Sequence, residues 1–197
     1  MKIIAACALV PGATAFLSAC SADEKPQFKS IDLTGADYAK DFSLNDQYGM
    51  TRTIHDFAGK VAVVFFGFTQ CPDVCPASMA ELAQIKKSLG ADGGRLQAIF
   101  ITVDPERDTP ELLKAYMGNF DPSFLALRPT MAQLPQLAKD FKIYYKKVEG
   151  KTPGSYTMEH SAGSYVYDQK GNIRLYSRYG NGPEGLTSDI RLLLKNT

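Results

Sequence analysis

Two cysteines, Cys71 and Cys75, stand four residues apart in the stretch FFGFTQCPDVCPASMAEL, Phe65–Leu82. Such a pair can be a structural disulfide, a redox couple or two jaws of a metal site. Residues at i and i+4 of a helix share one face, with Cα atoms roughly 6 Å apart, compatible with a disulfide. Reduced, the same geometry offers two soft sulfurs to one ion. Pro72 and Pro76 stiffen the segment. Pro76 also suits a first helical turn, which leaves room for Cys71 in the preceding loop. In either position the free N–H groups and the positive end of the helix dipole favour thiolate. As a mere staple the pair would stabilise little, because the loop it closes is short.

Two thiolates alone rarely complete a metal site, and the chain holds two histidines. His55, in TIHDFAGK, reads as an ordinary turn or edge residue. His160 lies in the polar stretch EGKTPGSYTMEHSAG, Glu149–Gly163, which reads as a long loop. Long loops on a compact frame are often functional, although by residue type alone a solvated loop histidine is the plainer reading. Were His160 to swing over the cysteine turn, the site would hold two sulfurs and one imidazole. Soft thiolates select Cu(I) or zinc, and imidazole suits copper in either oxidation state. Structural zinc normally takes four protein ligands. A three-donor site on a loop fits copper that is accepted and passed on.

The elements that must position these residues follow from pattern. Ala36–Arg52 reads as a hairpin turning through Asn45–Gly49. VAVVFFGF, Val61–Phe68, is a continuous apolar run, as expected of a strand covered on both faces, and LQAIFITV, Leu96–Val103, reads as a second buried strand. Met79, Leu82, Ile85 and Leu89 form a helical stripe over Pro76–Leu89, closed by Gly90. A helix over Pro110–Met117 comes next, capped by Asp108 or Thr109. Then come a short strand at Phe124–Leu127, a helix over Met131–Phe141 and a strand over Ile143–Val148. A hairpin of Ser164–Asp168 and Asn172–Arg178 precedes a last helix, Glu184–Lys195. Alternating strands and helices make a three-layer α/β domain. The cysteines fall at the carboxyl end of its first long strand, where sites in such sheets lie.

A composition of 45% hydrophobic and 22% charged residues over 197 positions describes one well-packed domain. MKIIAACALVPGATAFLSAC reads as an export signal, interrupted by Pro11 and Gly12 and too short for a membrane span. Its end, Leu17-Ser18-Ala19-Cys20, resembles a bacterial lipobox, which implies cleavage before Cys20 and lipid on that residue. Residues 1–19 are thus expected to be the signal, 20–36 the lipidated Cys20 and a flexible tether, and 37–197 the domain. Removing Lys2 with the signal balances acidic and basic side chains, and no long basic run points to nucleic acid. With Cys7 cleaved away and Cys20 blocked, Cys71 and Cys75 are the remaining thiols, in an oxidising compartment.

CPDVCP at 71–76, VDPERDTPE at 103–111 and the His160 stretch before SYVYD together resemble the Sco/SenC family. These are membrane-tethered, thioredoxin-like proteins that bind copper and help assemble the binuclear copper centre of cytochrome c oxidase. The likeness runs from about Asp37 to the C-terminus. It implies a thioredoxin-like three-layer fold with an N-terminal β-hairpin and an inserted helix/strand segment. It implies copper as the metal and Cys71, Cys75 and His160 as ligands, with Asp73 and Asp104 as acids near it. Asp104 can alternatively start a turn at Asp104-Pro105, and Asp108 reads as part of a helix cap. Implied partners are the apo copper-site subunit of the oxidase, a copper donor chaperone and a protein thiol reductant. The family usually carries a transmembrane anchor. Here the lipobox takes its place, holding the domain on the extracytoplasmic side of a bacterial membrane. A competing reading is a thiol–disulfide oxidoreductase that uses Cys71 and Cys75 to reduce the oxidase cysteines. The CxxxC spacing and the lack of a proline in Ser155–Tyr165 count against its ordinary form. GFTQC also resembles a peroxiredoxin site, but the proline expected before it is missing.

Overall fold

A computed structural model describes residues 27–195. The signal, the lipobox with Cys20 and the first part of the expected tether lie outside the described residues. In chain order the elements begin with β1 (Ile31–Asp32), β2 (Leu44–Asp46), β3 (Thr51–Arg52), β4 (Val61–Gly67) and α1 (Val74–Ser88). They continue with β5 (Leu96–Thr102), α2 (Pro110–Gly118), β6 (Leu125–Arg128) and α3 (Leu134–Asp140). β7 (Tyr145–Glu149), β8 (Tyr156–His160), β9 (Ser164–Tyr167), β10 (Ile173–Ser177) and α4 (Pro183–Lys195) complete the fold.

Eight strands form one sheet in the order β1-β10-β9-β4-β5-β6-β2-β3. β4, β5 and β6 run parallel, and β9 lies antiparallel against β4. Every residue of β4 and β5 is buried, as in strands covered on both faces. Phe65, Phe66, Ile99 and Phe100 from these strands meet Met79 and Ile85 of α1 and Phe141 after α3 in one core. β4 is therefore a rigid rail, and the loop leaving its carboxyl end is held where the core puts it.

Three expectations need correction. The N-terminal hairpin exists, pairing Leu44 with Arg52 and Asn45 with Thr51, but its first strand starts at Leu44. The Asp41 carboxylate instead accepts the Phe42 and Ile54 N–H groups. The later part of the stretch expected as a tether, 20–36, belongs to the fold, because Ile31–Asp32 pair with β10. The N–H groups of Lys29 and Ser30 both donate to the buried Asp189 carboxylate, at 2.8 Å each. The stretch 149–163 is not a loop throughout. β7 and β8 make a two-stranded ribbon in which Tyr145 faces His160. Met158 points inward while Thr157 and Glu159 are exposed, an alternation masked by the flanking KTPGS.

Candidate metal centre

Gly67 ends β4, and a short loop leads through Thr69, Gln70 and Cys71 to Asp73, which stands at the N-cap of α1. Cys71 therefore sits in the loop and Cys75 in the first turn of the helix. Cys75 is fully buried and Cys71 half-buried. The Cys75 N–H donates to Cys71 Sγ at 3.4 Å, one of the orphan helix-start donors put to use. Burial pushes the Cys75 thiol far above its ordinary value, because a desolvated thiolate is costly without a cation beside it. A metal ion supplies that cation.

The loop is fixed from below by Asp108. Its carboxylate accepts from the Thr69 N–H at 3.1 Å, the Thr69 hydroxyl at 2.6 Å and the Thr102 hydroxyl at 2.5 Å. Burial raises the Asp108 pKa, against the downward pull of these threonine hydrogen bonds. Asp108 is accordingly no helix cap. Thr109 is, its hydroxyl accepting the Leu112 N–H at 3.3 Å. The same motif gives Asp104 partners of its own. Its carboxylate, 3% exposed, accepts from Arg107 Nε and, at 2.9 Å, from the Tyr156 hydroxyl. Asp73 is exposed and makes no side-chain cap bond.

His160 closes the site from the end of β8. Its Nδ1–H donates to the Ser161 carbonyl at 2.9 Å, since a carbonyl can only accept. That tautomer turns the Nε2 lone pair toward Cys75 Sγ, 3.5 Å away, as an acceptor. The ring stands edge-on to Phe65 and Phe68, with centroids 6.0 and 5.8 Å away. Burial lowers its pKa, which favours the neutral, ligating form. The ligand atoms of Cys71, Cys75 and His160 all lie within 4.8 Å of one another. An ion bound about 2.3 Å from sulfur and 2.0 Å from nitrogen separates such donors by up to roughly 4.6 Å, so the set fits one ion with little movement.

His55, by contrast, is exposed in the turn before β4, at the opposite end of that strand. Sequence reasoning named the donors but missed what supports them. Gly67 is one such support, because a Cβ there would lie 2.8 Å from Cys75 Sγ. Asp108 and Arg107 belong to the VDPERDTP motif, and only their three-dimensional partners reveal their work.

Comparison with known proteins gives the same picture from outside. A SCO1/SenC family model matches residues 32–195. The chain is 32% identical over 196 residues to a SCO2-like protein of Rickettsia felis, covering 97% of this chain and 96% of that protein. It is 35% identical over 153 residues to the mitochondrial SCO2 homolog of Bos taurus, covering 77% of this chain. It spans only 58% of that bovine protein's length. A structure of Bradyrhizobium japonicum ScoI with copper bound matches with a TM-score of 0.70 at 38% identity, over 78% of this chain and 97% of that one.

Proposed function

The chain belongs to the SCO1/SenC family, and we propose that it carries copper on Cys71, Cys75 and His160 and delivers it for assembly of the binuclear copper centre of cytochrome c oxidase. The observation that carries this reading is the convergence of two sulfurs and a correctly tautomerised imidazole within 4.8 Å. Two thiolates and a neutral imidazole suit Cu(I), and the imidazole lets the set hold Cu(II) as well. Delivery is ligand exchange: a donor from the apo copper-site subunit replaces one of these three, and the remaining bonds follow. Joining Cys71 to Cys75 as a disulfide would remove two electrons, two protons and both sulfur donors. A protein thiol reductant is therefore part of the proposal, as is a donor chaperone that loads the site. The leader and Leu17-Ser18-Ala19-Cys20 support lipidation at Cys20, holding the domain on the extracytoplasmic face of a bacterial membrane. Asp73 remains a proposed acid at the mouth of the site.

Anaerobic copper titration of the reduced protein tests the site. Stoichiometric binding is expected, weakened in His160→Ala and Cys71→Ser. Binding that survives both changes intact places the metal elsewhere. A thiol–disulfide reductase is the second reading, favoured by one feature: Cys71 is half-buried and its sulfur receives an N–H from Cys75. The reduction potential of the pair separates the two. A value well above that of the oxidase cysteines excludes reduction of them.

A further inference from the structure

Side chains, not the sheet, dock the histidine ribbon: Met158 is in the core, and Tyr145 and Tyr156 pack against it. Among the described residues, β7 and β8 pair with each other and with no strand of the main sheet. Yet His160 must meet sulfurs carried by the β4–α1 loop. The exposed Lys147–Glu106 ion pair at 2.9 Å, with side chains 41% and 53% accessible, contributes little to holding the ribbon down.

We propose that Arg107 is the positioning residue that ties the histidine ribbon to the cysteine loop, and that copper binding through His160 depends on it. This rests on copper carriage at that site. The Arg107 guanidinium touches each part that must stay in register. Nη1 donates to Gln70 Oε1 at 3.0 Å, in the residue before Cys71. It also donates to the Tyr156 carbonyl at 2.8 Å, at the start of β8. Its planar group lies 3.5 Å from the Tyr156 ring centroid and 5.9 Å from that of Phe68, the residue after β4. Nε donates to Asp104, which the Tyr156 hydroxyl also reaches. Asp104 is itself fixed, its N–H donating to the buried Thr102 hydroxyl at 2.9 Å. Asp104, Arg107 and Tyr156 thus close a ring seated on the end of β5.

The chemistry requires a guanidinium. Only a planar fork serves carboxylate, amide and backbone carbonyl at once while stacking on an aromatic ring, whereas an ammonium supplies a single point of charge. Nη2 is buried without a hydrogen-bond partner among the described residues. Position along the chain sets the consequence. β9 starts at Ser164 and holds His160 from one side, and Arg107 holds the other end of β8 at Tyr156, so freeing Tyr156 leaves the imidazole fixed from the sheet side alone. Metal ligands tolerate only about 0.2 Å.

The test uses Arg107→Met and Arg107→Lys beside the parent protein. Cu(I) and Cu(II) affinities are measured, the Cu(II) form is followed by electron paramagnetic resonance, and amide exchange is read on the metal-free protein. In both variants Cu(II) affinity is expected to fall about tenfold or more, the worth of one hydrogen bond to a charged group. The imidazole nitrogen coupling should weaken while Cu(I), held by the two sulfurs, changes far less. Exchange should rise over Tyr156–His160 and stay constant in β4 and β5. Three results overturn the proposal: a Lys variant that matches the parent, exchange unchanged in the ribbon, or Cu(I) and Cu(II) affinities falling in parallel with exchange rising through β4. If the parent binds no copper, the carriage reading fails separately, and the exchange data still decide whether Arg107 docks the ribbon.

Discussion

Gly67→Ala is the sharpest probe of how the fold serves the site. A Cβ at this position would lie 2.7 Å from Phe100 Cε2, 2.8 Å from Phe65 Cε1 and 2.8 Å from Cys75 Sγ. Ordinary contact is about 3.5–4.0 Å, so each neighbour must retreat by roughly 0.7 Å or more. None can do so freely, since Phe65, Phe100 and Cys75 are each 0% exposed in a close-packed core. Overpacking of this kind costs about 1–3 kcal/mol. For a domain of this size that lowers Tm by about 2–12 °C. The same displacement is several times what a metal ligand tolerates. Copper affinity should therefore drop along with stability. Gly118→Ala, at the end of α2 with open space around it, is the matched control and should do neither harm. Differential scanning calorimetry and competition titration with a Cu(I) chelator read both effects. A Gly67→Ala protein that melts with the parent and binds copper equally well would refute the reasoning, because the cradle around Cys75 would then have slack.

Asp189→Ala should release the N-terminal segment. It leaves the Lys29 and Ser30 N–H groups without their shared carboxylate, at a cost of about 2–4 kcal/mol. Amide exchange over residues 28–33 should rise while copper affinity is unaffected; loss of copper binding would tie this segment to the site. Asp108 makes stability pH-dependent, with a definite sign. Its pKa is raised in the folded protein, so its contribution is complete below the ordinary carboxylate value of 3.8 and is lost as pH rises through the folded value. The lost stability accrues at no more than about 1.4 kcal/mol per pH unit. Asp108→Asn should flatten that part of the urea-unfolding profile, and an unchanged slope would show that Asp108 is already ionised throughout.

Much of this site was legible because its chemistry is carried by rare residue types at telling positions. Two thiols at a strand-to-helix junction could be named from pattern, whereas His160 read as a solvated loop residue until the family resemblance made it a ligand. The parallel strands were equally plain, since Val61–Gly67 is an unbroken apolar run and Leu96–Thr102 departs from one only at Gln97 and Thr102. Pairing by distance escaped. Asp108 looks like a cap next to Pro110, yet its partners are Thr69 and Thr102, and no local rule announces a contact across 39 positions. Thr109, adjacent and chemically similar, takes the cap instead. β8 escaped for a different reason. Tyr156–His160 alternates correctly, but its strand partner β7 is largely exposed, so neither strand has the apolar signature that burial in a sheet imposes. The thiolate expectation failed at Cys75 because helix-start electrostatics were weighed without desolvation, and at a fully buried sulfur desolvation wins.

The asymmetry between the two sulfurs gives transfer a direction. Cys75 and His160 form the inner side of the site: one is sealed beneath Gly67 and Phe100, the other wedged edge-on between Phe65 and Phe68. Cys71 forms the outer side, in a loop with exposed Pro72 and Asp73 beside it. An incoming donor can approach the metal only where solvent can, so exchange on the proposed function begins at Cys71. The N–H of Cys75 aids this step, because it can stabilise the Cys71 thiolate as the metal bond lengthens. Cys75 takes a backbone hydrogen bond at Phe68, but burial outweighs it and leaves a bare thiolate there unstable. It therefore holds the ion until a proton or a second sulfur arrives, and the metal leaves the pocket last from its deepest donor.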